Sequence, residues 1–103
     1  MTITSDRIWE MARGFQTSRV LLTGVELNIF AAVGDVTMTS TDVAKEIGAD
    51  RRATDRLMNA LVGIELLAKE NGGFRNTPET AAILVPGKPG FVGPALFPIY
   101  LNS

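Results

Sequence analysis

The sequence predicts a mainly α-helical fold with one small β-hairpin, arranged as a winged helix-turn-helix that is preceded by N-terminal helices. Three observations lead to this prediction. Residues 8–30 carry apolar side chains at alternating spacings of three and four, which is the period of a helix. Two capped helical patterns then follow, with only the turn 48–50 between them. Asn71 and Gly72 separate two short strand-like segments, and Asn-Gly is the strongest local signal for a hairpin.

Composition limits the class of protein. The chain has 103 residues, of which 46% are hydrophobic and 20% are charged, and this predicts one globular domain, 1–103. The net charge of −1 gives no reason to expect nucleic acid or an anionic membrane as a partner. Cysteine and histidine are absent, which removes disulfides, thiolate metal sites and the usual general base. With no signal pattern and no apolar run of roughly 20 residues, we expect a soluble, cytoplasmic protein without a metal site.

The N-terminal segment 1–34 predicts helices with more apolar surface than a small monomer covers. A first helix, a bend at Gly14 and further helical runs over 16–24 and 25–33 are expected. The pattern does not decide whether Gly24 separates the last two runs. A second apolar stripe needs another surface against it, so we expect a partner subunit and a homodimer. The residues expected at this dimer seam are Trp9, Met11, Phe15, Ser18, Arg19, Leu22 and Val25.

Two polar residues of this seam allow more than one interpretation. Ser18 is small enough to let two helices approach closely, and it is equally compatible with the wall of a pocket. Arg19 fits the dimer seam, but its apolar stem also covers surface while the guanidinium stays in water. The aromatic residues Trp9 and Phe15 fit a core or an interface better than a site that stacks on a substrate.

Residues 39–77 predict the helix-turn-helix and its wing. Thr39 resembles the first residue of a capping box, and Asp50 caps a second helix that is expected over 51–65. The Asn-Gly pair at 71–72 then joins the two strands of a hairpin. A helix-turn-helix followed directly by a hairpin is a winged helix.

The C-terminal segment 78–103 predicts further helices. A threonine cap followed by proline and glutamate starts a helix over about 78–84. A loop rich in proline and glycine covers 85–90. The apolar segment 91–101 is expected to form a final helix that two prolines interrupt. It either folds back onto the core or is a severed connection to a further domain.

The second helix of the predicted helix-turn-helix begins with a cluster of arginines, Arg51, Arg52 and Arg56. In a DNA-binding winged helix this is the recognition helix, so the alternative function is a small transcriptional regulator. Lys69 and Arg75 on the wing would extend a basic patch. Acidic residues stand beside the arginines, however, and few unopposed cations are available to neutralise phosphates. The composition therefore favours a solvated helix face.

Three short segments carry a resemblance to a known family. They are Gly-Phe-Gln-x-Ser-Arg at 14–19, Asn-Thr-Pro at 76–78, which ends the wing, and Gly-Phe-Val-Gly at 90–93. In this order, and over about residues 8–97, the chain resembles the N-terminal dimerisation domain of S-adenosylmethionine-dependent O-methyltransferases. The resemblance is to enzymes of the plant caffeate and bacterial polyketide type.

The resemblance implies a domain that pairs with its twofold mate through intertwined N-terminal helices and covers the substrate pocket of a catalytic domain. The intact protein would then transfer a methyl group from S-adenosylmethionine to a hydroxyl of a small molecule bound at the domain boundary. This chain has no glycine-rich turn of the dinucleotide-binding type. We therefore expect no catalytic residue and no cofactor site in this chain, and S-adenosylmethionine in the missing catalytic domain. A standalone binder of hydrophobic ligands is a third hypothesis.

Overall fold

The structure is a computed structural model, and it describes residues 5–92, without the side chains of residues 9–13, 15 and 16. It confirms a mainly helical domain with a two-stranded antiparallel wing. In chain order the elements are α1 (Ser5–Glu26), α2 (Ile29–Val33), α3 (Ser40–Ile47), α4 (Arg51–Gly63), β1 (Leu67–Glu70), β2 (Gly73–Asn76) and α5 (Pro78–Leu84).

The first helix corrects the predicted boundaries. α1 is one continuous helix over 22 residues, so the first two predicted runs are a single element that neither Gly14 nor Gly24 interrupts. A single glycine lowers helix stability by about 1 kcal/mol, which weakens a helix without ending it. The chain leaves the helix after Glu26 instead, where Asn28 adopts a left-handed conformation with φ 62°. Asparagine tolerates this conformation better than most residues, so the turn redirects the chain into α2.

The helix-turn-helix forms as the capping residues predict. The Thr39 side chain accepts a hydrogen bond from the Asp42 backbone N–H at 3.2 Å and so begins α3. Gly48 ends α3 in a left-handed conformation with φ 69°. The Asp50 carboxylate accepts from the Ala53 backbone N–H at 2.8 Å and begins α4. These caps satisfy backbone N–H groups that have no partner inside their own helix.

The wing is a tight antiparallel hairpin whose strands pair from Leu67 opposite Asn76 to Glu70 opposite Gly73. One contact was not predicted, because Met38 forms a β-bridge with Phe74. The Met38 N–H donates to the Phe74 carbonyl at 2.9 Å, and the Phe74 N–H donates to the Met38 carbonyl at 2.8 Å. This bridge attaches the wing to the segment that precedes α3.

The hydrophobic core lies where α2, α3, α4, the wing and α5 meet. The short helix α2 is central to it. The buried core residues are Ile29, Phe30, Val33, Val43, Met58, Leu61, Leu67, Phe74 and Leu84. Within residues 5–92, no helix is both long enough and apolar enough to cross a membrane.

After α5, which the Thr77 side chain caps, the chain runs back along the domain. The Val92 N–H donates to the Ile83 carbonyl at 2.8 Å, and the Lys88 ammonium lies 3.2 Å from the Asp35 carboxylate. Phe91 and Val92 are not helical, so the predicted final helix does not begin at residue 91. The rest of that prediction, from residue 93 onward, lies outside the described residues. The subdivision at residues 34, 39 and 77 stays a prediction.

Candidate interaction surface

The C-terminal half of α1 attaches the helix to the domain. Val20, Leu21 and Val25 are half-buried and pack against the core. Gly24 is buried between them, and a Cβ at this position would lie 3.0 Å from the Phe30 ring and 3.3 Å from a Leu61 methyl group. Glycine therefore allows this half of α1 to lie close against α2 and α4.

The part of α1 that precedes Val20 has a different environment. Ile8 is 58% exposed, and Ser18 is exposed as well. At Gly14, which is also exposed, no atom lies within 4 Å of the position that a Cβ would occupy. Gly14, Ser18 and Leu22 are spaced by four residues and therefore lie on one face of the helix. We call this face the outer stripe.

The structure divides the predicted seam residues into groups. Ser18 and Arg19 are exposed, whereas Leu22 and Val25 are half-buried. Val25 packs against the core of its own subunit, so only part of its surface is available to a partner. The remaining three predicted seam residues have side chains outside the described part of the chain; they are Trp9, Met11 and Phe15. The assignment of all seven residues to a dimer seam stays a prediction.

The arginines at the start of α4 form a second surface. Arg51, Arg52 and Arg56 are exposed, and together with Ser40 and Asp55 they line a cleft of about 260 Å³. The Asp55 carboxylate accepts from the Ser40 hydroxyl at 2.7 Å and from the Asn59 amide at 3.2 Å. Two hydrogen bonds thus hold a negative charge inside the arginine cluster. This charge opposes the approach of a phosphate.

The wing cations that were predicted to extend this patch are already engaged. The Arg75 guanidinium lies 2.6 Å from the Glu70 carboxylate on the same hairpin. The Lys69 ammonium lies 5.4 Å from the centre of the Phe74 ring, within the range of a cation–π contact. Because Glu70 neutralises Arg75, the wing adds little net positive charge to the start of α4.

A polar groove of about 470 Å³ lies between the wing, the start of α3 and one face of α4. Its charged side chains are Asp55, Lys69 and Glu70, so it has no dominant sign of charge. In the part of the chain that the structure describes, no cluster of acidic side chains is arranged to hold a metal ion. The groove offers hydrogen-bonding groups, among them the Ser40 hydroxyl and the Asp55 carboxylate, whose oxygens lie 2.7 Å apart.

Asn76 is an important residue that sequence reasoning noticed only as part of a motif. It is 7% exposed, and its side-chain amide donates to the Phe30 carbonyl at 3.1 Å and to the Gly34 carbonyl at 2.8 Å. Its side-chain oxygen is buried without a hydrogen-bond partner. Asn76 therefore ties the wing to the end of α2. Its partners lie more than 40 residues away in the chain, so a local sequence pattern cannot predict this role.

Comparison with known proteins agrees with this fold. A family model described as O-methyltransferase dimerisation domain matches residues 9–86. The 3-hydroxy-5-methyl-1-naphthoate 3-O-methyltransferase of Streptomyces sahachiroi is 29% identical over 84 residues, which cover 82% of this chain and 24% of that protein. The chain spans about a quarter of the length of the curated relatives it matches.

Two solved structures share the architecture. An O-methyltransferase family protein from Burkholderia thailandensis has a TM-score of 0.86 at 24% identity, covering 99% of this chain and 30% of that chain. Human N-acetylserotonin methyltransferase, solved in complex with SAM, has a TM-score of 0.70 at 22% identity, covering 99% and 34%. These structures share the fold, and the family match confirms the predicted resemblance and favours a dimerisation domain over a transcriptional regulator.

Proposed function

The chain belongs to the family of O-methyltransferase dimerisation domains, and on this premise we propose that it joins two copies of an O-methyltransferase and covers the substrate. The observation that carries the proposal is the outer stripe of α1. Its members Gly14 and Ser18 are exposed, while the other end of the helix is packed on its own core. A helix anchored at one end and exposed at the other is suited to pack against a second subunit.

The composition of the outer stripe supports a helix as the partner. Small residues at Gly14 and Ser18 allow a close approach between two helices, and Leu22 supplies apolar surface next to them. A second copy of α1 offers the same stripe, so a twofold axis through this face would be self-complementary. We therefore assign the homodimer seam to α1, with the seven residues predicted from the sequence as its members.

In the longer protein, a catalytic domain would hold S-adenosylmethionine and transfer its methyl group to the hydroxyl of a small aromatic or polyketide-like molecule. The naphthoate 3-O-methyltransferase relative and the SAM-bound human relative support this reaction class. The part proposed for this chain is to hold the dimer together and to close the substrate pocket at the domain boundary. The cytoplasmic location stays a prediction.

The test of the dimer is Leu22→Asp, compared with the matched control Val36→Asp. Leu22 is half-buried on the stripe, whereas Val36 is 60% exposed in the loop between α2 and α3 and is not one of the predicted seam residues. Burying an unpaired carboxylate costs several kcal/mol, so we expect a loss of roughly 3 kcal/mol or more in dimer stability, about a hundredfold in Kd. Light scattering across a dilution series measures this change, and circular dichroism verifies that both variants remain helical.

A folded Leu22→Asp variant that dimerises as tightly as the unmodified chain would contradict the assignment of the seam. The reaction class needs a separate experiment, which is the mass of the native gene product detected with an antibody against this domain. We expect a product longer by roughly 150–250 residues, enough for a catalytic domain. A product of 11.1 kDa would contradict the methyltransferase proposal while leaving the dimer untouched.

A further inference from the structure

The tip of the wing combines a reactive dipeptide with an unusual backbone conformation. Asn71 and Gly72 form the two-residue loop between β1 and β2, with φ angles of 50° and 78°. Positive φ at both loop residues is the signature of a type I′ turn. Both residues are exposed.

We propose that Asn71 is a site of spontaneous deamidation and that the turn controls its rate. The Gly72 backbone nitrogen, after losing its proton to hydroxide, attacks the side-chain carbonyl carbon of Asn71. The bond from that carbon to the amide nitrogen breaks, the departing nitrogen takes a proton from water and leaves as ammonia, and a five-membered succinimide ring remains. Water then opens the ring at either carbonyl, which yields aspartate or isoaspartate at position 71. Glycine favours the attack because no Cβ hinders the nucleophile.

The folded turn opposes this reaction through geometry. In a type I′ turn the first loop residue has ψ of about +30°. This angle points the Gly72 backbone nitrogen away from the Asn71 side chain. Ring closure needs that nitrogen on the same side as the side-chain carbonyl carbon. The tip must therefore open before Asn71 reacts, and the rate in the folded chain follows the population of the open tip.

The product would loosen the wing. Isoaspartate lengthens the backbone of a two-residue loop and adds a carboxylate next to Glu70, so the type I′ turn no longer fits. The adjacent residue Gly73 has little room to adjust. A Cβ atom built on its backbone would lie 2.8 Å from a Thr37 methyl group and 3.0 Å from the Met38 carbonyl oxygen. Pairing at Gly73 and the neighbouring bridge between Met38 and Phe74 are the contacts that the modification would weaken.

The experiment is incubation of the full chain at mildly alkaline pH, in native buffer and in concentrated urea, followed by peptide mapping that separates aspartate from isoaspartate. We expect conversion at Asn71 to be fastest of all the asparagines, and roughly tenfold slower in the folded chain than in urea. Asn28, Asn59 and Asn76 are internal controls, since none of them precedes glycine. Hydrogen exchange at the Phe74 amide should be faster in the isoaspartate product.

Two variants make the result decisive. Asn71→Gln should abolish the conversion, because glutamine closes a six-membered ring far more slowly, and Asn28→Gln should leave it unchanged. Faster conversion at another asparagine would overturn the assignment of the site. Equal rates at Asn71 in native buffer and in urea would overturn the control by the turn.

Discussion

α1 and α2 are consecutive apolar helices that contact the rest of the domain in different ways. In α2, Ile29, Phe30 and Val33 are at most 2% exposed and lie at the centre of the core. In α1, the apolar residues near the C-terminal end are only half-buried, and Ile8 near the other end is 58% exposed. Apolar periodicity therefore predicts a helix and a face that another surface must cover. It does not predict whether the same chain or a partner covers that face.

Phe30→Ala should produce the largest loss of stability, because Phe30 lies on the buried helix α2. Removing a fully buried aromatic side chain leaves a cavity and costs about 3–5 kcal/mol in the free energy of unfolding. Urea denaturation at one protein concentration measures this loss. The matched variant in the exposed half of α1 is Ile8→Ala, which should cost less than about 0.5 kcal/mol in the monomer. A loss at Ile8 as large as that at Phe30 would mean that both helices are equally buried.

Asn76→Ala tests whether the position of α2 depends on the wing. The substitution leaves the Phe30 and Gly34 carbonyls without their side-chain donor, so we expect a loss of about 2–3 kcal/mol in the free energy of unfolding. Asn59→Ala is the control, because Asn59 is half-buried and its amide donates only to Asp55. Thermal unfolding by circular dichroism measures both variants. Equal effects at Asn76 and Asn59 would refute the role of Asn76 as a tie.

Substitution of the two glycines of α1 should have the smallest effects on the free energy of unfolding, and the two effects should differ in sign. Gly24→Ala places a methyl group 3.0 Å from the Phe30 ring, so strain of about 1–3 kcal/mol should outweigh the gain in helix propensity. Gly14→Ala meets no atom within 4 Å, so it should stabilise a monomeric chain by roughly 0.5–1 kcal/mol. Urea denaturation at low protein concentration compares the two free energies of unfolding.

The sign at Gly14 depends on the dimer. If two α1 helices approach closely at this residue, the same added methyl group should weaken dimerisation at high concentration, because stability is linked to association. Sedimentation of Gly14→Ala beside the unmodified chain measures this linkage. Stabilisation of both monomer and dimer would place the closest approach of the two helices away from Gly14.

Local signals in the sequence predicted local structure well. The caps at Thr39, Asp50 and Thr77 form as expected, because each side chain satisfies a backbone group only three residues away. The Asn-Gly turn also forms as expected, since positive φ is compatible with few other residues. The predicted end of the first helix before Gly14 was wrong, and the open question at Gly24 is answered by a continuous helix. Helix propensity is a small free energy that neighbouring turns of the helix and tertiary packing outweigh.

The candidate site was predictable only in part. The spacing of Gly14, Ser18 and Leu22 places them on one face without any structure. The packing of Val25 onto its own core, by contrast, depends on the exit of the chain at Asn28, where the sequence predicted a continuous helix. Glu70 neutralises the charge of Arg75 because strand pairing brings these residues, which are five apart in sequence, to neighbouring positions on the hairpin.

The helix caps, the wing turn, the helical character of most of the chain and the resemblance to a dimerisation domain could all be predicted from the amino-acid sequence. These features rest on interactions between residues close together in the chain, or on composition. Three features became visible only in the tertiary structure. The helix α2 lies at the centre of the core, and Asn76 connects α2 to the wing. One end of α1 is exposed, whereas its other end packs against the core. Those features depend on contacts between distant segments, and their free energies are set by burial and by hydrogen-bond partners that no short stretch of sequence contains.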